Sequence, residues 1–563
     1  MISSNKIGVQ IIVEQCLAHG MKHVVCSPGS RNAPFSIAFD EHPEIETYII
    51  HDERSAAFFA LGLAQQLNEP VGVVCTSGSA ALNYYPAVAE AYYQCIPLVV
   101  ITADRPAEWV DQGDGQTIVQ REVYKNHIRY SCQFSEKVET TDQRWYMERE
   151  LAVAFSEGTT VWKGPIHINV ALNEPLYGQT EIEKGEKRSI ELVRGTFHFS
   201  NRNATECIKA MSLPKKMVIC GQLQPDAALL EELKRFSIDS SVAILVENTS
   251  NLSDLRFVQC IDRTLNAISE EELANYAPDV LITIGGAVVS KKIKAFIRKF
   301  KPKYHWKVGF EFPYMDTYQS MTHSFQVEPS LFFHEMNQLN YDRSISNFGA
   351  KWKQTDFLVQ EKMPAFFQKV PYSDVKVFET LLDYLPENSQ LHMANSSVVR
   401  YCQLFDPIQS INYWSNRGTS GIDGSTSTAL GAAVATQSDC HVLITGDVSF
   451  FYDSNALWNA YLPANFRIIL INNGGGGIFK IIPGPASTNQ LTKYFEAQHT
   501  QDAKLLSEAF GVRYYSAESM EEIESLMLDF YTIEDDGKAK LLEIKTPGDS
   551  NHLQLDAFFQ ELK

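Results

Sequence analysis

Two apolar runs, HVLITGD at residues 441–447 and FRIILINN at 466–473, decide the fold of this chain. Both are short, rich in β-branched residues and almost free of polar side chains, which is typical of parallel strands buried on both faces. The segment DSNALWNAYL at 453–462 opens with good capping residues and is followed by a proline, so it predicts the helix of a βαβ unit. The two strands should therefore run side by side and carry Asp447 and Asn473 to one edge of a sheet.

Asp447 and Asn473 offer hard oxygen ligands, which suit Mg²⁺ better than zinc or copper. Magnesium usually completes its octahedron with water and phosphate oxygens, so the pair indicates a site for a phosphate or diphosphate. Glycines 474–477 would let the backbone approach such a ligand closely. The chain lacks the GxxxxGK[ST] motif of a P-loop, and these glycines lack the GxGxxG spacing of a dinucleotide turn. The alternative is that both polar residues are ordinary turn residues.

Length and composition set the broad class of the protein. A chain of 563 residues is too long for one core and should divide into about three or four units. A net charge of −19 argues against nucleic acid as a partner, and the longest apolar runs are shorter than the ~20 residues that cross a bilayer. The amphipathic N-terminus lacks the basic start of a secretory signal, and ten cysteines without a CxxC pair indicate reduced thiols. We therefore expect a cytoplasmic protein without a membrane span.

The order of strands and helices predicts an α/β protein with three doubly wound parallel-sheet domains. We expect an N-terminal domain at 1–178, a central domain at 190–345 and a C-terminal domain at 370–563 that carries the opening motif. The polar stretch YGQTEIEKGEKRS, at 177–189, is predicted to be a linker. The first and third domains share a strand-helix-strand plan.

A second acidic residue, Glu53, stands at the start of HDERSAAFFALGLAQQ, a predicted helix that is apolar nearly all round. At helical spacing Glu53 shares a face with Ala56, Ala57 and Ala60, where a carboxylate is costly unless it is protonated or paired. The alternative is that Glu53 is stabilised by the helix dipole in the first turn, with its head in solvent.

The motif GDV followed by NN resembles the metal and diphosphate motif of the thiamine-diphosphate enzymes, although Val448 stands where most of that superfamily has glycine. The resemblance implies thiamine diphosphate as cofactor, with Mg²⁺ (Mn²⁺ as the alternative) held by Asp447, Asn473 and the carbonyl of Gly475. Glu53 would hydrogen-bond the pyrimidine ring from a neighbouring subunit, so a homodimer or a dimer of dimers is implied. The implied cofactor contacts are Glu53, Ile422, Gly446, Asp447, Ser449, Phe450, Asn473, Gly475, Gly476 and Ile478.

Five further motifs, CSPGSRNAP, TSGSAALNYYPAVAEA, TADRP, NSSVVR and SNRGTSGIDG, resemble one branch of that superfamily. This branch decarboxylates 2-oxoglutarate and adds the succinyl carbanion to isochorismate in menaquinone biosynthesis. Both substrates are dicarboxylates, and arginine binds carboxylates bidentately. The resemblance implies a site made of Ser30, Arg31, Glu53, Arg105, Gln116, Lys291, Ser396, Arg400, Arg417, Ile478 and Phe479.

Two alternatives remain open at this point. An acetohydroxyacid synthase or a 2-oxoacid decarboxylase would share the cofactor motif, but neither needs so many arginines. A non-catalytic sensor that binds thiamine diphosphate would not need Glu53. Taken alone, each arginine is also consistent with a surface charge or a partner in an ion pair.

Overall fold

The computed structural model describes the chain except for residues 183–189, 191, 193, 194, 196, 342–345, 437, 438 and 483. It contains three parallel sheets, each flanked by helices, so the predicted fold class is confirmed. No helix among the described residues combines the length and apolar character that crossing a bilayer requires.

The elements follow one another in chain order. The first unit consists of β1 (Ile2–Ser4), α1 (Ile7–Ala18), β2 (His23–Cys26), α2 (Ala33–Asp40), β3 (Glu46–Ile49), α3 (Glu53–Leu67), β4 (Val71–Cys75), α4 (Ser79–Asn83), α5 (Tyr85–Gln94), β5 (Leu98–Asp104), β6 (Tyr130–Ser135), α6 (Thr141–Thr159), β7 (Ile166–Ala171) and β8 (Gln179–Glu181). The central unit consists of α7 (Asn201–Met211), β9 (Lys216–Cys220), α8 (Ala227–Phe236), β10 (Val242–Val246), α9 (Ile261–Asn266), β11 (Val280–Ile284), α10 (Lys291–Lys299), β12 (Tyr304–Val308), β13 (His323–Phe325) and α11 (Pro329–Gln338). The third unit consists of α12 (Phe348–Phe367), α13 (Asp374–Asp383), β14 (Gln390–Met393), α14 (Ser397–Cys402), β15 (Asn412–Trp414), α15 (Ser425–Ala435), β16 (His441–Gly446), α16 (Asp447–Tyr452), β17 (Phe466–Asn472), α17 (Ile478–Ile481), α18 (Lys504–Ala509), β18 (Arg513–Ala517), α19 (Met520–Phe530), β19 (Lys540–Lys545) and α20 (Asn551–Glu561).

The first and third sheets have the same strand order, which explains the shared plan in the sequence. The first is ordered β3-β2-β4-β5-β7-β6 and the third β15-β14-β16-β17-β19-β18, while the central sheet is β10-β9-β11-β12-β13. Every pairing within these three sheets is parallel. Ligand-binding residues in such sheets gather at the carboxyl ends of the strands, where the strand order reverses.

Strands β16 and β17 are almost wholly buried, which explains why their sequences are almost entirely apolar. All seven residues of β17 are buried, as are five of the six in β16. Their parallel pairing, with His441 opposite Phe466, confirms that the two strands are neighbours. Asp447 and Asn473 therefore leave the third sheet at the same edge.

The helix predicted at 453–462 is wrong in its position. The helix of this βαβ unit is α16, which begins at Asp447, and only a 3₁₀ turn, Ser454–Leu457, follows. Asp453 does not cap a new helix because its buried carboxylate accepts bonds from the backbone N–H (2.8 Å) and Oγ (2.9 Å) of Ser427 in α15.

The predicted linker is also partly wrong. Residues 179–181 form β8, which pairs antiparallel with β1 at the N-terminus, so this stretch is tied to the first unit by backbone hydrogen bonds. Residues 183–189 of the linker lie outside the described residues.

Helices α3 and α15 join the first unit to the third. A Cβ atom added to Gly62 would lie 2.0 Å from the Thr428 carbonyl oxygen, and one added to Gly431 would lie 2.0 Å from that of Phe59. Only glycine allows this reciprocal approach of two backbones. The contact fixes α3, which begins with Glu53, against α15 of the unit that contains Asp447.

Candidate active site

Asp447 is buried at the edge of the third sheet, with 2% of its surface exposed. Its Oδ1 accepts a hydrogen bond from the Val448 backbone N–H (2.6 Å), and its Oδ2 accepts one from the Gly475 N–H (2.9 Å). His499 Nε2 lies 3.4 Å from Oδ2. Burial raises the pKa of Asp447, while the N–H donors and His499 act in the opposite direction. The described residues place no lysine or arginine against this carboxylate, so a bound cation would supply charge that the protein does not.

The two asparagines that end β17 have different surroundings. Asn472 donates to Glu543 (2.6 Å) and the Gln501 carbonyl (2.9 Å), and its own oxygen accepts from the Gly474 N–H (3.2 Å). Asn473 donates to Asp374 Oδ2 (3.2 Å), while its Oδ1 has no donor among the described residues. The amide oxygen of Asn473 is therefore available to a ligand, whereas that of Asn472 is occupied.

Asp374, at the start of α13, orients this amide. The side chain is buried and also accepts from Thr546 Oγ1 (2.6 Å). Burial raises the pKa of Asp374 to about 6, against the effect of the bonds from Thr546 and Asn473. Because an Asn amide has one donor end and one acceptor end, pairing the donor with Asp374 leaves the oxygen free for a metal.

A cavity of about 300 Å³ adjoins these residues. Its lining consists of Asn473, Gly474, Gly475, Gly477, Lys480, Glu496, Gln498, His499, Thr500, Gly548 and Asp549. Gly475 has a φ of +148°, and a Cβ atom there would lie 2.7 Å from the Glu496 carbonyl oxygen. The hard oxygen donors and the glycine-lined space fit Mg²⁺ with a diphosphate. The Gly475 carbonyl, predicted as a metal ligand, accepts from the Gly477 N–H (2.9 Å).

The remaining residues predicted to bind cofactor differ in exposure. Ser449 Oγ donates to the Ile422 carbonyl (2.7 Å), which links α16 to the loop before α15, and the Ile422 side chain is 36% exposed. Phe450 is fully buried, so only its backbone can meet a ligand. Gly476 donates its N–H to the Glu496 carbonyl (2.7 Å), and Gly446 has open space beside its Cα.

Glu53 is the first residue of α3, which Asp52 caps by accepting bonds from the N–H groups of Arg54 (2.9 Å) and Ser55 (3.3 Å). The helix is buried from Ser55 to Gln65, as its apolar pattern predicts. The Glu53 carboxylate is half-buried and accepts from Asn83 Nδ2 (3.3 Å). In the single chain, Glu53 is therefore partly exposed to solvent beside α4.

Four predicted residues gather at the carboxyl edge of the first sheet. Arg31 is 6% exposed and donates to the Leu172 carbonyl (3.0 Å) and to Glu174 (3.3 Å), while the neighbouring Ser30 bonds Tyr177 (2.8 Å). Arg105 donates to the Gly115 carbonyl (3.0 Å) and pairs with Asp114 (3.3 Å). The next residue, Gln116, is exposed and has a φ of 54°.

Three predicted residues lie at the carboxyl edge of the third sheet and have few partners. Arg417 donates to Asn395 Oδ1 (2.7 Å), and its Nε has no partner among the described residues. Arg400, in α14, makes no hydrogen bond or ion pair within the described part of the chain, and its Nε is buried. Burial and the nearby Arg400 lower the pKa of Arg417. Ser396 precedes α14 with a φ of 75°.

The other predicted residues lie on two helices. Ile478 and Phe479 begin α17, directly after the glycines, and the Phe479 ring packs 5.7 Å from that of Phe495. Lys291 begins α10 of the central unit with an exposed side chain. Among the described residues its side chain makes no hydrogen bond and no ion pair.

The sequence did not point to several residues that shape the site. Asp374 orients Asn473, and His499 approaches Asp447. Glu90, buried in α5, accepts from the N–H groups of Gly418 (2.7 Å) and Thr419 (2.6 Å), next to Arg417. Ser373, directly before α13, is a local signal that could have drawn attention to Asp374, but no local pattern marks the other two.

Three family models match the chain in succession. They are described as the N-terminal TPP binding domain of thiamine pyrophosphate enzymes (residues 7–125), the middle domain of thiamine pyrophosphate (195–393) and the C-terminal TPP binding domain (394–543). In order along the chain the models correspond to the three α/β units, although β6 and β7 lie beyond the first range and β14 of the third sheet falls within the second.

Curated relatives match along nearly the whole chain. A protein of Christiangramia forsetii is 45% identical and one of Flavobacterium psychrophilum 43%, each over 98% of both chains. A protein of Porphyromonas gingivalis is 39% identical over 99% of this chain and 97% of its own. All three are named 2-succinyl-5-enolpyruvyl-6-hydroxy-3-cyclohexene-1-carboxylate synthase.

Proposed function

This chain belongs to the family of 2-succinyl-5-enolpyruvyl-6-hydroxy-3-cyclohexene-1-carboxylate synthases, and we propose that it joins 2-oxoglutarate to isochorismate, with loss of CO₂, in menaquinone biosynthesis. The observation that carries the proposal is the pair Arg400 and Arg417, whose guanidinium groups form no ion pair with any described residue, at the edge that also holds Asp447. Half-buried cations that form no salt bridge favour an anionic substrate.

The same observation argues against the alternatives. An acetohydroxyacid synthase, or a decarboxylase of a monocarboxylic 2-oxo acid, has no second substrate carboxylate for such a pair to bind. A non-catalytic sensor would have no need of Glu53 on the helix that faces the cofactor. The name shared by the curated relatives agrees with a carboligase.

We infer that Asp447, Asn473 and the Gly475 carbonyl hold Mg²⁺, with Mn²⁺ as the alternative, and through it the diphosphate. The buried Asp447 carboxylate and the free oxygen of Asn473 support this assignment. The Gly475 carbonyl accepts the Gly477 N–H with one lone pair and has a second with which it would join them. Bound thiamine diphosphate supplies a carbon nucleophile and stores the electron pair released by decarboxylation.

Glu53 would hold a proton against the pyrimidine ring of the cofactor and favour its basic tautomer. The carboxylate is open in the single chain, and Leu82, 44% exposed, lies beside its partner Asn83. We propose that a second subunit covers this surface, so that the enzyme is a homodimer or a dimer of dimers. Ile422, also partly exposed, would support the cofactor between its rings.

The site residues divide between the two substrates. Arg400 and Arg417 would bind the carboxylate of 2-oxoglutarate that is remote from the ketone, with Ser396 as a neutral donor. Ser30, Arg31, Arg105, Gln116 and Lys291 would face isochorismate. Ile478 and Phe479 would exclude water from the reacting carbon, which favours carbon–carbon bond formation over protonation. We place the enzyme in the cytoplasm, in keeping with ten cysteines that form no disulfide.

The test is a coupled assay with 2-oxoglutarate and isochorismate, followed by titrations of Arg400→Ala and Arg105→Ala. Each substrate is varied while the other is saturating. Arg400→Ala should impair use of 2-oxoglutarate, and Arg105→Ala should impair use of isochorismate. The opposite pattern would exchange the two halves of the pocket, and a wild type without activity on this substrate pair would refute the proposed function.

A further inference from the structure

A buried carboxylate of the first unit binds the loop that carries Arg417. Glu90 lies in α5 with 1% of its surface exposed, and Arg417 lies in the loop between β15 and α15. The Oε1 atom of Glu90 accepts from the Gly418 N–H (2.7 Å), and its Oε2 atom accepts from the N–H (2.6 Å) and the hydroxyl (2.6 Å) of Thr419. Gln94, at the end of α5, also donates to Oε1 (2.6 Å). Each oxygen of the carboxylate therefore receives two hydrogen bonds.

A carboxylate is the side-chain group that satisfies all four donors. It accepts at both oxygens, whereas a glutamine would place its NH2 group against the backbone N–H of Gly418 or of Thr419. Hydrogen bonds to a charged acceptor are shorter and about twice as strong as neutral ones, which agrees with the distances of 2.6 and 2.7 Å. The carboxylate of Glu90 thus fixes the backbone of the two residues that follow Arg417.

The loop approaches α5 so closely that Gly418 has no room for a side chain. A Cβ atom added to Gly418 would lie 2.7 Å from the carbonyl oxygen of Glu90 and 3.0 Å from its Oε1 atom. Glycine is therefore required here by the neighbouring helix, because any larger residue would push the loop away from Glu90.

The third unit holds the same loop from the other side. Asn395, which is 2% exposed and follows β14, donates to the carbonyls of Asn416 (2.6 Å) and Gly421 (2.7 Å). Its Oδ1 atom accepts from Nη1 of Arg417 (2.7 Å). Loop 416–421 is thus held between Asn395 and Glu90, and together they fix both the backbone and the guanidinium group of Arg417.

We propose that Glu90 is a positioning residue that determines specificity for a 2-oxo diacid, because it directs Arg417 towards the carboxylate remote from the reacting ketone. The inference rests on the proposed function, in which Arg417 binds that carboxylate. Glu90 is too deeply buried to contact substrate, so it acts only through the loop. Ile422, which would support the cofactor, follows the same loop but has an anchor of its own, since Ser449 Oγ donates to its carbonyl (2.7 Å). Loss of the Glu90 carboxylate should therefore alter the choice of substrate.

The experiment compares two 2-oxo acids in steady-state kinetics with isochorismate saturating. The analogue 2-oxopentanoate has the chain length of 2-oxoglutarate but carries a methyl group in place of the remote carboxylate, so Arg417 has nothing to bind. Glu90→Gln should lower the specificity constant for 2-oxoglutarate about tenfold or more and change that for 2-oxopentanoate less than about twofold.

Asp239→Asn is the matched control for this exchange of a carboxylate for an amide. Asp239, in the central unit, is 4% exposed and also accepts a backbone N–H, that of Ser241 (3.0 Å). Because Asp239 makes no contact with loop 416–421, the variant should keep the wild-type ratio of the two specificity constants.

A double-mutant cycle tests whether Glu90 acts through Arg417. In the Arg417→Ala background, Glu90→Gln should change the specificity constant for 2-oxoglutarate less than about twofold, since the group that it positions is gone. Thr419→Val removes one of the four donors at an exposed residue, so it provides the test even if Glu90→Gln does not fold, and it should lower the same constant about threefold.

Three results would overturn the assignment: equal losses with both 2-oxo acids, losses that multiply in the double variant, or an unchanged constant for 2-oxoglutarate in Thr419→Val. A wild type that does not turn over 2-oxoglutarate with isochorismate would instead refute the proposed function, and it would be recognised before any variant is compared.

Discussion

Replacing Arg400 by alanine should separate activity from stability. Arg400 makes no hydrogen bond or ion pair with any described residue, so its removal leaves no partner unsatisfied. It also relieves repulsion with Arg417, whose pKa the Arg400 charge lowers. We expect the free energy of unfolding to change by less than about 1 kcal/mol, because the substitution breaks no hydrogen bond or ion pair among the described residues.

The cost to substrate binding should be much larger. A hydrogen bond between charged groups contributes about 1.5–3 kcal/mol, which corresponds to a roughly 10- to 150-fold lower specificity constant for 2-oxoglutarate. The specificity constant for isochorismate should change much less. Both quantities come from initial rates with one substrate varied and the other saturating, and stability comes from urea unfolding of the same preparations.

Arg263 serves as the control, because it is an arginine that forms ion pairs, whereas Arg400 forms none with the described residues. Its guanidinium is 1% exposed and pairs with Asp356 (3.2 Å) and Asp406 (2.8 Å). Arg263→Ala removes the cation that the two carboxylates share, leaving Asp356 with Lys353 alone (3.2 Å), and should lower the free energy of unfolding by about 3–5 kcal/mol. If Arg400→Ala destabilised the protein as strongly as Arg263→Ala, or left the use of 2-oxoglutarate unchanged, Arg400 would be a structural residue and the reasoning would be refuted.

Three further predictions concern the cofactor and the core. Asp447→Ala and Asn473→Ala should each abolish Mg²⁺-dependent binding of thiamine diphosphate in calorimetry, since each removes a metal ligand; retained binding in both would contradict the metal site. Glu53→Gln should fold and bind cofactor but slow proton exchange at the thiazolium carbon by orders of magnitude, and an NMR exchange rate equal to that of the wild type would remove Glu53 from the mechanism. Burial lowers the pKa of His441 to about 4. The unfolded chain therefore takes up a proton first as pH falls below 6.5, and His441 should cost stability progressively down to pH 4, by up to about 3 kcal/mol; urea unfolding of His441→Gln should lack this part of the pH dependence.

The sequence predicted those parts of the structure that depend on local pattern. The parallel pairing of β16 with β17 followed from two apolar runs, and the buried helix after Glu53 followed from its all-round apolar character. The helix expected at 453–462 failed because Asp453 bonds Ser427, a partner that is remote in sequence. Capping propensity cannot anticipate competing donors from another helix.

Contacts between distant segments were beyond local prediction for the same reason. His499 reaches Asp447 only because the chain after the glycines folds back over the sheet edge. In the central unit, Glu247 fixes the start of α10 by accepting bonds from the Val289 and Ser290 N–H groups, and backbone donors leave no signature in the sequence.

The central unit carries no cofactor motif, but its contacts hold the strand that leads to Arg417. Gln222 donates to the Ser415 carbonyl (2.8 Å) and Asn251 binds Tyr413, so the strand that leads to Arg417 is held from outside its own sheet. Glu90 of the first unit holds the same loop at Gly418 from the other side. The backbone around Arg417 is thereby held by all three units, while its guanidinium forms no ion pair with any described residue. Rigid backbone anchors let an unpaired cation keep its direction without a salt bridge, which would otherwise compete with the substrate carboxylate.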